Sequence, residues 1–203
     1  MRDTASTASN VRKMQRGRSN PPLFWSVVVV IVVADVITKA LAVYSLYPQR
    51  MPHELLGPAV RLTLVYNPGA AFGLHLGSYS RWIFMALTVG ALVILGRLYR
   101  ATRDGDLLRT LAIALVCGGA LGNLIDRIRS AAGVVDFIDV GIGDMRWPTF
   151  NVADMAVSIG AFLLAWVLWG EDRVDQPERP DGGEATEVAP MPASPVSRAS
   201  REI

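Results

Sequence analysis

Asp136 stands in VVDFID and Asp154 in FNVAD, two acidic residues set among apolar ones, with the second at the mouth of a long apolar segment. A charged side chain at the bilayer centre costs roughly 2.5–3.5 kcal/mol even on lenient scales, so ionisable groups near hydrocarbon are candidates for function. Two carboxylates brought together cannot both ionise cheaply. One keeps its proton near neutral pH, which is the requirement for paired acid and base chemistry.

Other polar residues recur near the same ends of the apolar segments. GGALGNLIDR, residues 118–127, places Asn123 and Asp126 three apart, on one helix face, with Arg127 next at the water interface. Taken alone, this is a helix end secured by a charge pair. Gly118, Gly119 and Gly122 permit close helix approach in a membrane. In VVDFID a strand turns Val135 and Phe137 away from Asp136, so the carboxylate faces either water or the mouth of the bundle. In FNVAD, Asn151 suits the N-cap of the last apolar helix and Asp154 falls at its third position, where the helix dipole favours an anion. Capping explains that pair in isolation, but not the recurrence of acids and amides at three segment ends. Asn67-Pro68-Gly69 reads as a tight turn that also aims the Asn67 amide at a ligand.

Asp35 and Lys39 are four apart on one helix face and can pair. A structural ion pair near the outer surface and a pair facing the active site are both open on these residues. Asp35 and Lys39 also interrupt the end of the only stretch resembling a cleavable signal peptide, the apolar run ending in Ala40-Leu41-Ala42. That run is long for such a segment, so a membrane span is the better expectation.

The elements that must position these groups are four apolar segments, residues 23–44, 82–98, 107–125 and 152–170. As a helix the first reaches about 33 Å at ~1.5 Å per residue, enough to cross a bilayer core. The chain of 203 residues is 51% hydrophobic, with mean hydropathy +0.33, which suits a small multi-span membrane protein. Residues 1–22 are polar and basic, and 171–203 are polar and Pro/Ser-rich; both are expected to be disordered tails. RLTLVY (61–66) and VVDFIDV (134–140) are β-prone and are expected to form a small sheet on the membrane surface. Tyr79, Trp82 and Trp147 suit the interfacial aromatic belt. The expected fold is an all-α membrane protein of four transmembrane helices with that extracytoplasmic sheet.

Charge distribution orients the bundle. The N-terminal tail carries five Lys/Arg, Arg97, Arg100, Arg103 and Arg109 flank the short second loop, and the C-terminal tail adds four. The two longer loops, 45–81 and 126–151, share six over more residues. The positive-inside rule then puts both termini in the cytoplasm and the aspartates outside.

Several chemistries lack residues. Cys117 is the one cysteine and lies in an apolar segment, while His53 and His75 lie in a polar stretch. No cysteine or histidine metal site is expected, and no nucleic-acid partner. A Ser–Lys protease would have to use Ser158 with Lys39, which Asp35 is placed to engage. A transporter keeps its acids near the midplane, whereas these cluster at one face.

In order along the chain, Asp35…Lys39, NPGAAF, GGALGNLIDR, VVDF and FNVAD resemble lipoprotein signal peptidase (signal peptidase II), the membrane aspartyl protease family of bacterial lipoprotein maturation. The likeness covers residues 23–170, with Pro68 a small variation in the NxGAAF pattern. It implies Asp136 and Asp154 as the catalytic aspartates. Asp35, Lys39, Asn67, Asn123, Asp126, Arg127 and Asn151 fall on positions that line or support the family's site, with Asp126 expected to brace Arg127. It implies a diacylglyceryl-modified prolipoprotein as substrate, membrane lipid as surroundings, cleavage just before the lipidated cysteine, and residence in the bacterial inner membrane. No metal, cofactor or covalent intermediate is required. Gly69, Gly73 and Gly77 are expected to hinge residues 70–80 over bound peptide.

Overall fold

The computed structural model describes residues 20–71, 74–75 and 77–174. Four helices long and apolar enough to cross a membrane are present among them: α1 (Pro21–Ser45), α2 (Ser80–Ala101), α3 (Leu107–Arg129) and α4 (Val152–Val174). All four expected spans are there, each extended by one to four residues at an end. α1 begins at Pro21 because proline fits the first helical turn, where its missing N–H has no partner to lose. α4 runs past Gly170 to Val174. Within the expected tails, residues 1–19 and 175–203 lie outside the described residues.

α3 is the central helix. It packs against α4, α1 and α2, and glycine makes the first two approaches possible. A Cβ on Gly118 would meet Ile31 and Val28 of α1, one on Gly119 would meet Ala153 and Val157 of α4, and one on Gly122 would meet Asp35 and Ala153. A lower core joins Phe24, Val28, Leu95, Ile113, Ala114 and Cys117. The apolar residues turned outward, such as Val29, Val33, Ile37, Leu87, Ile94 and Phe162, form the face that meets lipid.

The expected strand pair forms and grows by two edges. β1 (Pro52–Leu56), β2 (Val60–Asn67), β5 (Val134–Ile142) and β6 (Met145–Arg146) make one antiparallel sheet in the order β1-β2-β5-β6. β3 (Ala70–Ala71) and β4 (Leu74–His75) pair separately. β1 was not legible because it is exposed throughout and carries no alternating pattern. β2 and β5 pair Val65 with Asp136 and Asn67 with Val134. Leu64, Val135 and Phe137 pack on Ala42 and Leu46, so the sheet sits on the end of α1. Gly133 lets β5 start there, since a Cβ would strike the Asn67 carbonyl. Of the expected hinge stretch, Phe72, Gly73 and Leu76 lie outside the described residues. Tyr79, Trp82 and Trp147 are exposed at this end of the bundle.

Candidate active site

Asp136 and Asp154 are brought together by one backbone stitch. Phe150 bridges Ile138: the Phe137 and Ile138 N–H groups donate to the Phe150 carbonyl at 3.0 and 2.8 Å, and Phe150 N–H donates back to Ile138 at 3.0 Å. The residue after Phe150 therefore arrives beside Asp136. That residue is Asn151, fully buried, and its amide donates to Asp136 Oδ1 at 2.7 Å. Asn151 also caps α4. Its Oδ1 accepts the Asp154 N–H at 2.9 Å, and Asp154 Oδ2 accepts the Asn151 N–H at 3.3 Å, a reciprocal capping box. One asparagine thus touches both aspartates.

Asn123 forms the second link. Its amide donates to Asp154 Oδ1 at 2.7 Å, and its Oδ1 accepts from Asn151 at 3.1 Å. Lys39 donates to the same Oδ1 at 3.0 Å and pairs with Asp35 at 2.7 Å and Asp126 at 2.9 Å. Asp35 in turn accepts the Ala153 N–H at 2.9 Å, tying α1 to the start of α4. Asp126 accepts the Val135 N–H at 3.2 Å, tying α3 to β5. The ion pair left open by the sequence is thus both structural and joined to the aspartates through Asn123. Asp126 braces Lys39 and the strand through these contacts. Arg127 also feels the charge of Asp126, together with those of Asp154 and Asp136. Arg127 itself donates to the Asn123 carbonyl at 3.3 Å and lies 5.5 Å over the Phe84 ring.

Asn67 completes the set. Its Oδ1 accepts the Gly69 N–H at 3.0 Å, the turn anticipated from Asn-Pro-Gly, and its side chain hydrogen-bonds Asp136. Asp136 is 3% exposed. Burial and the charge of Asp154 push its carboxyl up to about 7, against the pull of Asn151, Asn67 and Lys39. Asp154 is half-buried and opens on an apolar groove of about 350 Å³ lined by Trp147, Phe150, Met155, Ser158 and Ile159. The ammonium of Lys39, the one lysine among the described residues, is engaged by Asp35, Asp126 and Asn123 rather than by Ser158.

Two contacts had no signal in the sequence. Arg81 donates to the Arg127 and Ile128 carbonyls at 2.6 and 3.1 Å, closing the end of α3. Arg146 grips Asp139 at 2.8 Å and the Pro58 carbonyl at 2.8 Å, fastening β6 and the β1–β2 turn to β5. Both join partners more than forty residues apart or across strands, which spacing along the chain does not reveal.

The sequence matches the signal peptidase (SPase) II family over residues 27–170. The chain belongs to the signal peptidase II family. Similar curated proteins include a lipoprotein signal peptidase of Burkholderia thailandensis, 40% identical over 78% of this chain and 93% of its own length. Another, of Paraburkholderia phymatum, is 40% identical over 69% of this chain and 83% of its own. A bacterial membrane enzyme solved by the in meso method at 2.3 Å resolution superposes with a TM-score of 0.68 at 28% identity, covering 83% of this chain and 99% of that one. A second, solved at 1.9 Å, gives 0.66 at 30% identity, covering 75% and 96%. Signal peptidase II membership makes the chain a protease, and its four apolar helices make it a multi-pass protein of the bacterial inner membrane.

Proposed function

We propose that this peptidase is an aspartyl endopeptidase that removes signal peptides from diacylglyceryl-modified prolipoproteins, cleaving just before the lipidated cysteine. The observation that carries it is the double engagement of Asn151, which donates to Asp136 and closes the cap with Asp154. The names of the similar proteins support a lipoprotein substrate. The apolar groove beside Asp154 suits a substrate that stays in lipid.

In this scheme Asp136 and Asp154 share one proton. The ionised carboxylate takes a proton from water as the water oxygen bonds to the scissile carbonyl carbon. The protonated carboxyl gives its proton to the carbonyl oxygen. The resulting gem-diol collapses: its hydroxyl proton returns to the dyad, the nitrogen takes the proton first removed from water, and the C–N bond breaks. The products are a carboxylic acid and a free amine, and the dyad is restored. Residues 23–170 form the peptidase unit. The Lys/Arg distribution supports cytoplasmic termini and an active site on the outer face.

The test is cleavage of a diacylglyceryl-modified prolipoprotein by the purified protein in detergent. Wild type cuts before the lipidated cysteine, while Asp136→Asn and Asp154→Asn fold and do not. Equal turnover by all three proteins sinks the dyad. A wild type that never cleaves sinks the substrate as well.

A further inference from the structure

Three carboxamides surround the two aspartates, and each must present its NH2 group to a carboxylate to be useful there. What holds each one that way round differs. The Asn67 oxygen is held by the Gly69 N–H, and the Asn151 oxygen by the Asp154 N–H, both backbone donors. The Asn123 oxygen is held by the Lys39 ammonium at 3.0 Å, with Asn151 as its second donor. Lys39 is the one side chain among these anchors with a full charge. It is 3% exposed.

We propose that Lys39 is a positioning residue for the dyad: it locks the polarity of the Asn123 amide, so that an N–H donor and never the amide oxygen faces the Asp154 carboxylate. This rests on the assignment of Asp136 and Asp154 as the catalytic pair.

The physical reason lies in what an ammonium can do. Lysine has three N–H donors and no acceptor. An Asn123 turned over would aim its NH2 at the ammonium and its oxygen at Asp154. That orientation is tolerable only when Asp154 carries a proton to donate. Asn151 has two amide hydrogens for three acceptors, Asp136, Asn123 and the Val135 carbonyl, so it can release the Asn123 oxygen. Lys39 has one donor for each of its three acceptors, and losing Asn123 leaves a buried N–H unpaired. With Lys39 present the turned amide is excluded, and Asp154 keeps an N–H donor on each oxygen, from Asn123 and from the Asn151 backbone. Hydrogen bonds to the ionised form favour it. The charges around the pair of Asp136 on β5 and Asp154 on α4 are Asp35 and Lys39 on α1 and Asp126 and Arg127 on α3. Asp35 and Asp126 compensate the Lys39 charge, so its distinctive contribution is direction rather than net charge. The buried environment that pushes the Asp136 carboxyl up to about 7 is consistent with the proton residing there.

The test compares wild type with Asp35→Asn/Lys39→Met, which keeps the net charge of the pair and removes the donor. Infrared difference spectra of the protein in detergent read the hydrogen bonding of the Asp154 carboxylate directly, the band being identified by its loss in Asp154→Asn. Removing the lysine shifts that band as the Asn123 N–H donor is lost. For a lipidated prolipoprotein kcat falls at least tenfold, and KM stays within twofold. Lys39→Arg keeps a donor-only cation and leaves the band in place. An unchanged band in the methionine protein, with only a lower unfolding temperature, overturns the proposal, as does an arginine protein that shifts as methionine does. Because the infrared band needs no substrate, a wild type that fails to cleave would instead count against the proposed function.

Discussion

Asn151 and Asp154 hold each other: the Asn151 oxygen accepts the Asp154 N–H at 2.9 Å, and the Asp154 carboxylate accepts the Asn151 N–H at 3.3 Å. The same asparagine reaches Asp136 at 2.7 Å. A helix cap and a contact to Asp136 therefore occupy one residue, and two substitutions separate them. Asn151→Ala removes both and lowers stability by about 1 kcal/mol for the cap alone. Asn151→Ser keeps a capping oxygen but falls short of Asp136. Thermal unfolding in detergent should place serine nearer wild type than alanine, while both lose most turnover. Recovery of turnover by serine along with stability would reduce Asn151 to a cap.

The Asp136 carboxyl is pushed up to about 7 by burial and by the Asp154 charge. In the unfolded chain it titrates near 3.9. Between those values the folded protein holds a proton that the unfolded chain has lost, so stability falls as pH rises from about 4 to about 7. The unfolding temperature should decline over that window, and Asp136→Asn should flatten the decline. In the proposed scheme the dyad needs its shared proton, so kcat/KM should fall as pH rises through about 7. A profile flat from pH 6 to 8 would contradict this assignment.

The four spans were legible because a bilayer demands about 20 apolar residues in a row and lets nothing interrupt them cheaply. The pairing of 61–66 with 134–140 was legible from β-branched and alternating residues on both segments. Asp136 was harder to place. Its strand pattern left water and the bundle mouth both open, with water the commoner outcome for a lone loop aspartate, and the decision lies in the bridge between Ile138 and Phe150, which joins residues twelve apart with no periodic signal between them. The Asp35–Lys39 pair was visible as an i,i+4 spacing, but its link to Asn123 spans 84 residues. The Arg146 clamp on Asp139 likewise depends on sheet topology, which β6, only two residues long, does not announce.

Asp126 is the third acid at this end of the bundle, and its contacts are to Lys39 and the Val135 N–H. An amide at this position can still accept the strand N–H through its oxygen. Asp126→Asn should therefore retain measurable cleavage, reduced by about tenfold, with a lower unfolding temperature. Asp136→Asn and Asp154→Asn should each lose at least a thousandfold. Steady-state cleavage of a lipidated prolipoprotein ranks the three, and an Asp126→Asn protein as inactive as the other two would bring Asp126 into the chemistry.

Gly119 sets the distance between α3 and α4, because any Cβ there meets the Ala153 carbonyl and the Val157 side chain. Ala153 is the residue before Asp154, and Asn123 lies one turn beyond Gly119 on α3. Widening this contact must move Asp154 relative to Asn123. Gly119→Ala is therefore expected to cost about 1–3 kcal/mol through overpacking. Its effect on kcat should exceed its effect on KM, since the displaced bond orients a reacting carboxylate rather than gripping substrate. Gly90 on α2 is the matched control: a Cβ there meets nothing, so Gly90→Ala should leave both stability and turnover near wild type. Equal losses from the two substitutions would show that helix spacing at α3–α4 is not what fixes the dyad.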